Sequence, residues 1–162
     1  MRGAKQDFIA DADVLHVTAL ARGLLTFADK HRVLGRAQVG AIGTNSYSKV
    51  PPSLRFFAGG DQSVRGYDYQ TLSPRDDQGN REGGRYMFAG SLEYQYSIAE
   101  RWRIATFVDQ GNAFNSLGDK MNTGAGFGVR WVSPVGPLRL DLAHAFDEDK
   151  GWRIHFSMGP EL

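Results

Sequence analysis

Apolar and polar residues alternate with a period of two along most of the chain, and no segment sustains a helical period. The alternation predicts about seven strands, at 11–27, 32–43, 85–97, 101–110, 121–132, 137–146 and 151–159. The clearest covers 85–97. Tyr86, Phe88, Leu92, Tyr94 and Tyr96 share one face, and Met87, Ala89, Ser91, Glu93 and Gln95 share the other. In the next strand Trp102, Ile104, Thr106 and Val108 oppose Arg103, Ala105, Phe107 and Asp109. Phe127, Val129 and Trp131 then oppose Gly124, Gly126, Gly128 and Arg130, and Leu138, Leu140 and Leu142 oppose Arg139 and Asp141. The last strand sets Trp152, Ile154, Phe156 and Met158 against Arg153, His155 and Ser157. Short turns at 29–31, 99–100 and 133–137 alternate with longer connections at 45–84, 111–120 and 146–150. Outer-membrane barrels show this asymmetry, and Tyr96, Trp102, Trp131 and Trp152 near strand ends suit interfacial girdles. The expected fold is all-β, an antiparallel transmembrane β-barrel. A soluble antiparallel barrel or sandwich would show the same apolar face, with the other face meeting water or a ligand.

Composition narrows this only a little. A chain of 162 residues is one domain by its length. Its 19 basic and 18 acidic residues leave a net charge of +1, no excess that would favour nucleic acid. There is no cysteine, hence no disulfide or thiolate metal site. A mean hydropathy of −0.38 looks soluble, but lumen-facing polar residues dilute the average of a membrane barrel. No apolar run approaches the roughly 18 residues of a transmembrane helix. The N-terminus, Met1-Arg2-Gly3-Ala4-Lys5-Gln6-Asp7, does not open into the apolar core of a secretory signal. About seven strands also fall short of a closed bacterial barrel, which has an even number from about 8 upward. The chain therefore reads as a single partial domain of something longer, with its first barrel strands upstream.

The chemistry concentrates in the long loop at 45–84. A loop of that length without periodicity is functional or disordered. Phe57-Ala58-Gly59-Gly60-Asp61-Gln62-Ser63-Val64-Arg65-Gly66-Tyr67 sets one arginine between glycines that allow tight turns. A guanidinium is a planar fork suited to carboxylates, and Glu93 and Asp109 lie on the non-aromatic face of successive strands. If the loop folds inward, Arg65 reaches both. On spacing alone, both carboxylates read rather as ordinary solvated lumen residues. Residues 75–84 read as a mobile, solvated tip. Gly124-Ala125-Gly126-Phe127-Gly128 reads as lumen-facing glycine beside a packed loop, since no helix follows and the phosphate-loop spacing is absent. His16, His31, His144 and His155 show no metal-ligating spacing and read as solvated or lumen residues. No cofactor, metal or catalytic group is expected.

These segments resemble the BamA/TamA superfamily of outer-membrane insertase barrels. The resemblance rests on Arg55-Phe56-Phe57-Ala58-Gly59-Gly60 through Val64-Arg65-Gly66-Tyr67, on Gly90-Ser91-Leu92-Glu93-Tyr94, on Phe107-Val108-Asp109-Gln110-Gly111, and on the run from Gly128 to Asp141. It covers nearly the whole chain, and the ending Gly159-Pro160-Glu161-Leu162 is similar to that of the TamA branch. The resemblance implies the C-terminal strands of a 16-stranded barrel with an inward-folded lumen loop. It implies a lock made by Gly59, Gly60, Val64, Arg65, Gly66 and Tyr67 with Glu93 and Asp109, with Arg65 contacting both carboxylates. It implies a bacterial outer-membrane location and a non-enzymatic role: folding and inserting β-barrel or autotransporter clients by strand templating at a lateral gate. A TamB-like inner-membrane partner would accompany the TamA branch. The barrel of a self-secreting patatin-like protein or of a two-partner secretion relative is the alternative within this class. Asp149, Gly151, Ile154 and Phe156 fit the polar-x-Gly-x-x-apolar-x-apolar pattern of the C-terminal signal that barrel-assembly machinery reads by β-augmentation. Any lipid-facing terminal strand would look similar.

Overall fold

The computed structural model describes residues 2–4, 14–147 and 151–159. One antiparallel sheet of eight strands runs in chain order from edge to edge. The strands are β1 (Arg2–Ala4), β2 (Val14–Phe27), β3 (His31–Thr44), β4 (Tyr86–Ala99), β5 (Trp102–Phe114), β6 (Asn122–Ser133), β7 (Gly136–Ala145) and β8 (Trp152–Met158). The count departs from the expected seven through β1, three residues whose partners are Val14, Leu15 and His16. Three residues are too few to display a period. β5 also runs to Phe114, beyond the expected end at 110.

Each strand alternates as its residues dictate. In β5 every second residue from Ala105 to Ala113 is buried, while Ile104 and Val108 are exposed on the opposite face. In β8, Trp152, Ile154, Phe156 and Met158 are all exposed, the phenylalanine by 63%. A whole apolar face left uncovered is what a lipid-facing strand presents. No helix among the described residues is long and apolar enough to cross a membrane; strands cross by other rules.

The opposite face of the sheet is covered by the segment between β3 and β4. It begins with two short 3-10 turns, Tyr47–Lys49 and Pro52–Leu54. It then folds back on itself through isolated bridges, Phe56 with Gly84 and Ala58 with Leu72. Its apolar residues build the core: Val50, Phe56, Ala58, Val64, Tyr67 and Leu72 pack on Ile42, Met87, Ala113 and Ala145 of the strands. The face expected to be polar is therefore apolar where the loop sits. The tip is largely exposed at 75–82 but closed by hydrogen bonds, and Gly83 and Gly84 are buried. Arg75 bridges Arg81, and Asp76 Oδ1 accepts from the amides of Gln78 and Asn80 at 2.9 and 2.8 Å. The aspartate replaces solvent as acceptor for the turn's own amides.

Candidate functional site

The loop lowers Arg65 into the curve of the sheet, where the side chain is 6% exposed. Its Nε and Nη2 donate to Asp109 Oδ2 and Oδ1 at 2.7 and 2.9 Å, a two-pronged pair. Nη1 donates to Glu93 Oε2 at 2.7 Å and to Asp141 Oδ2 at 3.1 Å. Nη2 also donates to Ser91 Oγ at 3.2 Å. These contacts match the five N–H groups that a guanidinium carries. The backbone amide of Arg65 adds a bond to Asp109 Oδ2 at 3.0 Å, so main chain and side chain grip the same carboxylate. The ring of Phe107 closes one face of the guanidinium, with Cζ 3.4 Å from the ring centroid. This is a cation–π contact away from bulk water.

A second guanidinium completes the cluster. Arg130 on β6 donates from Nε and Nη2 to Glu93 at 3.0 and 2.7 Å, and from Nη1 to Asp141 Oδ1 at 2.5 Å. Ser91 and Gln95 supply further donors, to Asp109 Oδ1 at 2.6 Å and to Glu93 Oε1 at 2.8 Å. Two positive charges thus face three carboxylates. The expected contact of Arg65 with Glu93 and Asp109 is present, but inside a larger ring. Alternation places Arg130 and Asp141 on the lumen face, yet it does not tell which lumen residues meet across a curled sheet. β4, β5, β6 and β7 each lend one charged residue.

The loop's other residues fit around that ring. Val64 and Tyr67 are fully buried. The Tyr67 hydroxyl lies 3.1 Å from Thr123 O and 3.2 Å from Asp147 Oδ2. Asp147 also accepts from the Thr123 amide at 2.8 Å and from Lys120 at 3.0 Å. The Thr123 amide, followed by the lysine and tyrosine, holds the Asp147 carboxyl below its ordinary pKa, against a smaller opposing effect of burial. Gly59 and Gly60 adopt φ of 103° and 98°, and the Ser63 hydroxyl accepts from the Gly59 amide at 2.7 Å. Gly66 has φ 95°, and a Cβ there would press on the backbone of His144 and Ala145 at 3.0 Å. At Gly124 a Cβ would fall onto the Arg65 carbonyl oxygen. Both close approaches admit only glycine.

The description Omp85 superfamily domain matches residues 8–161. The chain belongs to the Omp85 superfamily. It is 34% identical over 145 residues to the outer membrane protein assembly factor BamA of Nitratidesulfovibrio vulgaris, covering 82% of this chain and 18% of that protein. It is 30% identical over 152 residues to the chloroplastic outer envelope protein 80 of Arabidopsis thaliana, covering 80% of this chain and 19% of that protein. It therefore spans about a fifth of the length of these curated relatives. Among solved structures, BamA from Haemophilus ducreyi lacking POTRA domains 1-3 superimposes with a TM-score of 0.69 at 21% identity, covering 90% of this chain and 34% of that one. CdiB from Acinetobacter baumannii gives 0.63 at 18% identity, covering 91% and 27%. These two likenesses concern the fold. The Omp85 relatives place the chain in an outer membrane.

In this Omp85 chain the loop is also tied to β8, a set of contacts the sequence reading did not anticipate. The Gly66 amide donates to His155 Nε2 at 3.0 Å, and His155 Nδ1 pairs closely with Asp61. Arg153 donates from Nε to Asp68 Oδ1 at 2.9 Å and from Nη1 to the Gly66 carbonyl. The only signal in the sequence was their parity, which sets Arg153 and His155 opposite the apolar residues. Of the C-terminal signal residues, Ile154 and Phe156 lie exposed on β8 and Gly151 precedes it with φ 33°. Asp149 lies outside the described residues.

Proposed function

We propose that this chain is the loop-bearing, C-terminal part of a 16-stranded outer-membrane assembly barrel. The barrel helps fold and insert β-barrel or autotransporter proteins. Its first and last strands part sideways, and the freed edge templates an incoming client strand. Backbone hydrogen bonds supply the affinity of such pairing and alternate side chains its specificity. The observation that carries this reading is the Arg65 ring, a loop fixed to β4, β5 and β7 by buried charge, with Arg130 of β6 completing the ring. Omp85 membership and the assembly-factor relatives support it, as does the apolar outer face. The Arg65 ring is a structural lock that makes and breaks no covalent bond. Ile154 and Phe156, with Gly151 and Asp149, serve as the terminal barrel signal. The TamA-like branch, with its TamB-like partner, belongs to this reading on the sequence resemblance alone.

The test is client folding. The intact protein is reconstituted in liposomes, an unfolded outer-membrane barrel is added, and folding is followed by heat-modifiable gel migration. Wild type accelerates folding over empty liposomes, and Arg65→Ala loses most of that gain. No acceleration by the wild-type protein would overturn the proposal. An open passenger domain released upstream of the barrel would instead support the self-secreting alternative.

A further inference from the structure

A second group of arginines occupies the lumen face, and among the described residues none of its members makes an ion pair with a carboxylate. Arg22 and Arg36 are direct partners in the β2–β3 register. Like charges opposite one another destabilise a sheet unless something offsets them. Arg139 of β7 reaches the same place across the curve of the sheet, and all three line one cavity of about 250 Å³. Among the described residues Arg22 makes no hydrogen bond or ion pair. Arg36 donates once, to the Ser63 carbonyl at 3.2 Å. Arg139 donates once, from Nε to Ser157 Oγ at 3.0 Å. Each guanidinium has five N–H donors, so most of those in this cavity have no acceptor among the described residues.

The neighbouring carboxylates are already engaged. Asp61 is paired with His155, and Glu93 with Arg65 and Arg130. Arg65 forms the wall between the two groups, with its own donors filled by Asp109, Glu93, Asp141 and Ser91. Gln38 and Gln62 add neutral polar lining. Three planar forks that converge on a polar cavity are complementary to an oxyanion, which accepts several charge-assisted bonds at once.

We infer that Arg22, Arg36 and Arg139 form an oxyanion site in the lumen, taking a carboxylate or phosphate group. This site is independent of the Arg65 lock and of the assembly activity proposed above. Two sources share the chemistry: a free phosphate, or an acidic side chain of a polypeptide passing through the lumen.

Titration calorimetry on the intact protein in detergent micelles distinguishes them. Inorganic pyrophosphate is one ligand and a short glutamate-rich peptide the other, both at low ionic strength. At least one is expected to bind saturably. Arg36→Gln and Arg22→Gln should each weaken it about tenfold or more, the scale of a lost charge-assisted hydrogen bond. Arg101→Gln, in the exposed β4–β5 turn, should leave it unchanged. Far-UV circular dichroism verifies the fold of each variant, and Arg22, exposed at the sheet's flank, reports on the site even if Arg36→Gln folds poorly. Pyrophosphate binding alone identifies a free phosphate, and peptide binding alone identifies a polypeptide carboxylate. If neither ligand saturates, or if Arg101→Gln weakens binding as much as Arg22→Gln, there is no such site.

Discussion

Arg65 brings one positive charge to three carboxylates, and among the described residues Arg130 shares the task by pairing with two of them. Breaking a buried ion pair by deleting one partner leaves uncompensated charge and costs about 3–5 kcal/mol. Arg65→Ala should lose stability on that scale, measured by urea unfolding of the intact protein in micelles. Arg65→Lys keeps the charge but has no fork to span Asp109, so it should restore only part of the loss. Equal stability of wild type and alanine variant would show that the ring does not hold the loop. Asp147 adds a pH dependence. Its pKa is lowered in the folded protein, so its contribution is complete above the ordinary carboxylate value and fades as pH falls through the lower folded value. The protection factor of the Tyr67 amide, corrected for the intrinsic pH dependence of exchange, should therefore fall on acidification in wild type. In Asp147→Asn the step should be absent and exchange already fast at neutral pH.

At the scale of the element, the loop needs room as well as charge. Gly124 sits under the Arg65 carbonyl, so Gly124→Val should push the loop out while β6 keeps its partners in β5 and β7. Limited proteolysis should then cut between 56 and 72, a segment expected to resist in wild type. Continued resistance would mean that the loop tolerates displacement. The strands themselves were legible because the outer face is apolar along its length and the inner face is polar away from the loop core, which produces a period of two through β4 to β8. The loop was legible only around Arg65, where glycine and arginine carry a recognisable chemistry. Val50, Phe56 and Leu72 gave no such sign: they follow no period, and a lumen was expected to be polar. Arg130, Asp141, Arg153 and His155 had the right parity, but their meeting depends on how far the sheet curls. Neighbour-to-neighbour pattern does not encode that curvature.

At the scale of the molecule, two edges of one curved sheet and the inner loop form a connected system. β8 pairs with β7 on one side, and its inward residues Arg153 and His155 hold Asp68, Asp61 and Gly66 of the loop. The terminal strand β8 is thus braced by the same loop that Arg65 anchors. Charge at its outer face should be costly: Ile154→Arg places a guanidinium where lipid is expected, a change of about 2–4 kcal/mol near a bilayer midplane. Its folding yield in liposomes should fall well below that of Ser157→Glu, which sets an opposite charge across from Arg139 on the inward face. The central claim is that buried charge fixes the loop in the lumen and that β8 depends on it. Hydrogen exchange of the intact protein in membranes, comparing wild type with Arg65→Ala, tests this most directly. Protection should drop across 56–72 and at β8 while β4 and β5 stay protected. Unchanged protection in the loop and in β8 would contradict the account.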